Sequence, residues 1–461
     1  MSEQAKFLEG SLFKHISVMS LTASLGLMAV FLVDFVDMIF ISMLGKAELA
    51  AAIGYAGAVL FFTSSFSIGM SIAAGALVAR ALGAGDDARA KRQATNALII
   101  GIVLSSAFVA VVWVYAREIT ALLGASEETL DLAVNYLRII VPSLPVLMVG
   151  MIGSAILRAH GDARRAMMAT IYGGLVNAVL DPILIFGLDL ELTGAALASV
   201  CARFTIGLTA ILPVIRVYQG LQRPSLSGLL PDIAPVMAIG FPAILTQLAT
   251  PIGSAYVTRT MATFGEEAVA GMAIVGRMTP VAFGVIFALS GAIGPIIGQN
   301  AGAGKDDRVR AAFRDGLLFT AAVVVLISAT LFLLRPVFVD LFALDGIALT
   351  LVFLFAGPLS LAFFFNGVIF VGNAAFNNLN HPYYSTWINW GRHTLGTIPF
   401  VMLGASVAGA PGVLIGQAAG GILFAGIAYI LAVRVMDGGH KPDQAAFARE
   451  GRLHRLFHHR R

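Results

Sequence analysis

The chain is a succession of long apolar runs broken only by short polar or glycine-rich stretches. A run of about 20 apolar residues crosses the ~30 Å hydrocarbon core of a bilayer as a helix, because in lipid each backbone N–H and C=O must bond within its own segment. By that criterion the sequence predicts twelve spans, at residues 16–44, 51–80, 96–116, 134–157, 166–188, 193–217, 233–261, 269–298, 316–334, 346–376, 383–404 and 412–435. Several exceed a straight crossing, which implies tilt or bending. Only 12% of residues are charged, against roughly a quarter in soluble domains, and no water-soluble fold hides so much apolar surface. The fold class expected is therefore an all-α polytopic membrane protein. Residues 1–15 are polar and the first run is too long for a signal h-region, so no cleaved leader is expected.

Positive charge sets the orientation. Lys and Arg crowd the loops after spans 2, 4 and 8 (Arg80, Arg89, Lys91, Arg92; Arg158, Arg164, Arg165; Lys305, Arg308, Arg310, Arg314) and the tail 438–461. The opposite loops hold little beyond Lys46, Arg117, Arg259 and Arg335. Both termini should face the cytoplasm, which requires an even number of spans and agrees with twelve. The net charge of +4 sits in these short loops and the tail, so no nucleic-acid partner is expected. A single cysteine, Cys201, excludes an intrachain disulfide and any multi-cysteine metal site.

The chain repeats itself at an offset of about 219 residues. Gly83-Ala84-Gly85-Asp86-Asp87 lies opposite Gly302-Ala303-Gly304-Lys305-Asp306-Asp307, and Gly45 lies opposite Gly265. The reading is two pseudo-symmetric six-helix lobes, 10–218 and 233–437, joined by a cytoplasmic linker at 219–232 with Pro224 and Pro231. Halves with an even number of spans keep one orientation and are related by an axis along the membrane normal, which leaves a central cavity between them. The second glycine loop is not a nucleotide-binding P-loop: Gln299 and Asp306 occupy positions that need Gly and Ser or Thr. A tight turn after a helix is the expected role of these glycines.

Few ionisable groups lie within the spans: Asp34, Asp37, Asp181, Arg203, Arg277 and Arg392. A carboxylate at bilayer depth is costly unless protonated, paired or facing water, which makes each a site hypothesis. Asn177 and Asp181 are four apart and share a helix face, followed by Pro182, which disturbs backbone bonding there. With Ser199 nearby in span 6, the set is a hard oxygen cluster suited to a proton or Na⁺. The alternative is structural: Asp181 capping a neighbouring helix or pairing with Arg203. Arg277 and Arg392 read as interhelical ties.

These residues resemble the multidrug and toxic compound extrusion family. The resemblance rests on Val36-Asp37 followed by Leu44-Gly45, on Leu157-Arg158-Ala159-His160-Gly161-Asp162, on Asn177 with Asp181-Pro182, on Gly240-Phe241-Pro242 with Gln247, and on Pro295 with Gln299-Asn300. It implies a pair of six-helix lobes that export cationic or lipophilic compounds in exchange for H⁺ or Na⁺. Spans 7 and 10 as delimited contain no acid, which matches the DinF-like branch, whose ion site lies in the first lobe. Carried over by position, the ion-coupling residues are Asp37, Asn177, Asp181 and Ser199, with Asp34 as an unusual second carboxyl on span 1. Family members commonly carry a proline in span 1, where this chain has Ser24, with Gly26 two residues on.

The function expected is an ion-coupled antiporter in the inner membrane, acting as a monomer on cationic or amphiphilic small molecules, with membrane lipids around it and no cofactor beyond the coupling ion. The rival within the superfamily is a flippase of lipid-linked oligosaccharides. An intramembrane enzyme would need a paired nucleophile and base or a metal set at membrane depth, where the only histidine is His393.

Overall fold

The computed structural model describes residues 5–438 apart from Ser126 and Ala343, and for Asp34, Met38, Ser42, Ala47 and Ala50 it describes the backbone alone. The basic tail after Gly438 and the Asp34 side chain lie outside the described residues. Among the described residues all regular structure is helical. The spans are α1 (Leu12–Met43), α2 (Ala47–Gly83), α3 (Asp87–Val114), α4 (Glu127–Ala159), α5 (Ala163–Gly187), α6 (Glu191–Arg216) and α7 (Leu226–Ala262). They continue with α8, in two pieces (Glu266–Ala282 and Gly284–Gly302), α9 (Asp306–Leu333) and α10 (Gly346–Asn378). The last apolar stretch, Pro382–Asp437, holds 56 residues, too many for one crossing.

That stretch is a hairpin. Gly409 adopts φ +63°, ψ −141°, and the chain doubles back there into α11 (Pro382–His393 and 398–408) and α12 (410–437). The arms touch backbone to backbone: a Cβ on Gly404 would overlap Gly412, one on Gly416 would overlap Phe400, and one on Gly420 would overlap Gly396. Only glycine permits so close an approach along that seam. Twelve crossings result, and both ends of the described chain lie on one face, called here the terminal face.

α1–α6 pack as one lobe and α7–α12 as another, and the lobes meet through α1 on α8, α2 on α7 and α2 on α8. Exchanging lobes turns the first of these contacts into the second and the third into itself, as a two-fold relation requires. Residue detail bears this out at the offset of 219. A Cβ on Gly83 would strike the backbone of Gln299, and one on Gly302 would strike the backbone of Arg80. These two glycines therefore make the helix crossing at the pseudo-axis. The turn itself falls to Gly85 and Gly304, with φ +74° and +68°, each just before the next helix begins.

The terminal face is closed by further ties. Arg80 of α2 bonds Asn380 between α10 and α11, and Gln299 of α8 donates to the Ala159 carbonyl of α4 (2.8 Å). The segment before α1 is tucked into this seam: the Phe7 N–H donates to Gln299 Oε1 (2.9 Å), and Asn300 and Arg308 donate to the Phe7 carbonyl. Residues 226–232, read as linker, are helical. Ser225 caps α7 through the Gly228 N–H (3.2 Å), so Asp232 lies within α7. It stays at the terminal face, held by Arg92 (3.0 Å) and Asn96 (2.7 Å) of α3. On the outside, Leu32, Val103, Leu208 and Leu326 are more than half exposed, a surface that only lipid solvates favourably.

Candidate functional site

Asp37, Asn177 and Asp181 come together in the first lobe, where α1 packs on α5. α5 is held in place by Gly173, which lies against Ile206 and Ala202 of α6. One turn later Asn177 is buried, and one more turn brings Asp181, 1% exposed. Pro182 donates no backbone N–H, and the chain widens at once into a π-helical turn over Ile183–Gly187, closed by the Leu188 N–H on the Ile183 carbonyl (2.9 Å). The perturbation expected from Pro182 is thus present as a wide turn just beyond the carboxyl.

A single amide joins the two acids. Asn177 Nδ2 donates to Asp37 Oδ1 and Oδ2 (3.0 and 3.2 Å) and to Asp181 Oδ2 (2.6 Å). The carboxyls are therefore no farther apart than two of these bonds end to end, about 5.6 Å. The second oxygen, Asp181 Oδ1, is buried and has no hydrogen-bond partner. A buried orphan acceptor beside a second carboxylate is an electrostatic deficit that a proton or a small hard cation relieves.

Arg203 does not serve as the counter-ion. Its guanidinium is turned toward α4, donating to the Ile140 carbonyl and Ser143 Oγ (both 3.0 Å). The structural alternative of an Asp181–Arg203 salt bridge is not what the side chains form. Ser199, on α6, makes no side-chain hydrogen bond to either carboxyl among the described residues. Tyr136 is buried in α4, the helix that packs on α6. A tyrosine in an apolar span carries no motif, so nothing in the sequence singles it out.

Between the lobes lies a cavity of about 1090 Å³. Ala23, Leu27 and Val30 of α1, Thr170 of α5 and Ile206 of α6 line it. Asp37 follows Val30 by seven residues, Asn177 follows Thr170 by seven, and Ser199 precedes Ile206 by seven on a helix running the other way. Seven residues are two turns, about 10 Å along a helix. The cluster thus lies about 10 Å outward of the cavity, on the same stripes of the helices that form its wall.

α1 is a continuous helix through Ser24, whose hydroxyl bonds the Leu21 carbonyl (2.8 Å), and Gly26 packs on Met167 of α5. No non-helical residue interrupts it there. Arg392 is tied to Asn366 of α10, an interhelical tie as expected, and it also lines the cavity.

The MatE family model matches the chain twice, over residues 23–183 and again over 242–403. The chain belongs to the MatE family. The two matches begin 219 residues apart, the offset of the glycine loops and of the reciprocal helix crossing. Among curated relatives, the "FAD transporter" of Shewanella oneidensis is 29% identical over 426 residues, 91% of this chain and 94% of that one. The "Multidrug export protein MepA" of Staphylococcus aureus is 27% identical over 350 residues, 74% and 76% of the two chains. Among solved structures, an aspartate-to-asparagine variant of the Vibrio cholerae MATE transporter VcmN superposes with TM-score 0.87 at 24% identity, covering 93% of this chain and 97% of that one. This MatE protein is accordingly a multi-pass membrane transporter of the two-lobe, twelve-helix fold, not an enzyme.

Proposed function

We propose that this MatE protein exports small molecules by alternating access, driven by H⁺ or Na⁺ bound between Asp37 and Asp181. The observation that carries the reading is the shared amide: two carboxyls on one Asn177 donor, with Asp181 Oδ1 buried and unpartnered. An ion arriving there supplies the missing positive charge and draws α1 and α5 together. α1 also packs on α8 of the other lobe and lines the cavity, so a shift at Asp37 is felt at the cargo wall. The ion drives the cycle only because it binds the two conformations with different affinity. One charge crossing 100 mV carries about 2.3 kcal/mol, enough to bias the exchange.

In this reading the protein resides in the inner membrane with the terminal face in the cytoplasm, since Arg80, Arg89, Lys91, Arg92, Lys305 and Arg308 cluster there. It needs no organic cofactor. The first-lobe position of the acids favours the DinF-like branch, and Asp232 does not argue against it because Arg92 and Asn96 hold it at the terminal face. The curated relatives' names support a small-molecule cargo, a flavin dinucleotide in one case and drugs in the other. The rival, a flippase of lipid-linked oligosaccharides, draws on the arginines in the cavity.

Reconstituted vesicles with an imposed pH or Na⁺ gradient test the reading. Cargo efflux should follow one of the gradients in wild type and collapse in Asp37→Asn and Asp181→Asn. Undiminished gradient-driven efflux in both variants would sink it.

A further inference from the structure

The ionisable side chains lining the central cavity are Arg158, Arg392 and His393, and among the described lining residues there is no carboxylate. The remaining polar lining is rich in amides, Asn373, Asn389 and Gln417 among them. Neither guanidinium has a counter-ion among the described residues. Arg392 bonds only the amide oxygen of Asn366. Arg158 makes no hydrogen bond or ion pair to another described residue. Other arginines of the protein do meet acids, as Arg92 meets Asp232 and Arg165 meets Asp162. A guanidinium held inside the protein without a carboxylate is costly, and its cost is relieved when an anion enters.

The two sit at different depths. Arg158 lies one residue before the end of α4 at the terminal face, while Arg392 lies ten residues into α11 from that face. At 1.5 Å per residue this separates them by about 15 Å along the cavity. One belongs to each lobe. The volume, about 1090 Å³, reaches the upper end of the roughly 300–1,000 Å³ typical of small-molecule sites, so a ligand larger than a simple inorganic anion fits.

We propose that the cavity binds organic anions, phosphate-bearing ones in particular, with Arg158 as the inner station and Arg392 as the outer one. Arg–phosphate pairs are frequently bidentate, and the planar fork suits that geometry. The Asn and Gln side chains supply donors and acceptors for the uncharged remainder. A cationic cargo, which the family resemblance alone suggests, would meet two guanidiniums and no opposing charge. The inference rests on the cavity being the cargo route, but it concerns binding and does not depend on ion coupling.

Purified protein in lipid nanodiscs is titrated with three fluorescent planar probes: flavin mononucleotide, riboflavin (the same ring without phosphate) and ethidium (a cation). Flavin mononucleotide should bind at least tenfold more tightly than the other two. Arg392→Gln and Arg158→Gln should each weaken it tenfold or more while riboflavin binding stays put, which also reports that the variants are folded. Arg392→Lys should recover only part of the affinity lost in Arg392→Gln, since charge persists while the fork is lost. A polyisoprenyl phosphate in the same discs separates a lipid source from a free anion: competition by it that Arg392→Gln abolishes upholds the proposal with a lipid-linked cargo. Ethidium binding best, or flavin mononucleotide and polyisoprenyl phosphate affinities unmoved by both glutamine variants, would overturn it. Loss of gradient-driven efflux in Asp37→Asn with flavin mononucleotide binding intact separates a coupling defect from a cargo defect.

Discussion

The clearest perturbation is removal of one carboxyl from the pair on Asn177. Asp37 and Asp181 oxygens are at most about 5.6 Å apart, joined through one Nδ2. Two unit charges at that separation repel by about 3 kcal/mol at an effective dielectric near 20. A proton taken up by either carboxyl relieves that repulsion. Deleting one acid by Asp181→Asn therefore removes about 3 kcal/mol of ion binding, close to a hundredfold in affinity. The assay is gradient-driven efflux from reconstituted vesicles as a function of external proton or Na⁺ concentration. Each single variant should shift the half-activating concentration about a hundredfold. The double variant should be no worse than the more severe single one, because the two acids form a single site and their effects do not add. Strictly additive losses would show that the acids act independently, and an unshifted activation curve would show that no ion binds between them.

Three further outcomes follow from the packing. Gly420→Ala drives a methyl into the Gly396 carbonyl, whereas Gly426 has nothing within 4 Å; the first should cost about 1–3 kcal/mol in thermal unfolding and the second nearly nothing. Gln299→Ala strands the buried Phe7 N–H and takes a donor from the Ala159 carbonyl, at about 1–3 kcal/mol per unsatisfied group, so Tm should fall and the terminal seam should become accessible to protease. The third concerns Asp162 in the loop before α5. Burial alone would raise its carboxyl, but the Arg165 N–H, the Tyr218 hydroxyl and the Arg165 guanidinium together hold it below the ordinary value. A depressed carboxyl contributes stability that is fully present above the unfolded value near 4 and is lost as pH falls through the lower folded one. Tm should therefore drop below about pH 4 in wild type, and Asp162→Asn should flatten that part of the profile.

Much of this protein is written along the chain itself. Twelve crossings follow from run length, because lipid forces each segment to close its own backbone bonds. The duplication follows from the glycine loops, and their offset recurs in the Gly83–Gln299 and Gly302–Arg80 crossings. Asp37, Asn177 and Asp181 stand out because acids are rare and costly in apolar runs, and the structure brings all three together. Helix start points were less legible: α7 begins at Leu226, before the apolar run, because the Ser225 cap and the Arg92–Asp232 pair extend it through polar sequence. Ser199 is on the expected span, yet its hydroxyl bonds neither carboxyl among the described residues, since the rotation of α6 is decided by packing against α4 and α5 rather than by its own pattern.

What the sequence determined alone is the membrane, the number of crossings, the repeat and the three polar residues worth suspecting. Only the tertiary structure decided that Asn177 bridges both acids, that Arg203 turns away from them, and that Arg158 and Arg392 share a cavity without a carboxylate. Hydropathy is a property of single segments and is read one segment at a time. Charge pairing is a property of which helix faces meet, and that is set by glycine contacts and helix rotation between residues on different helices.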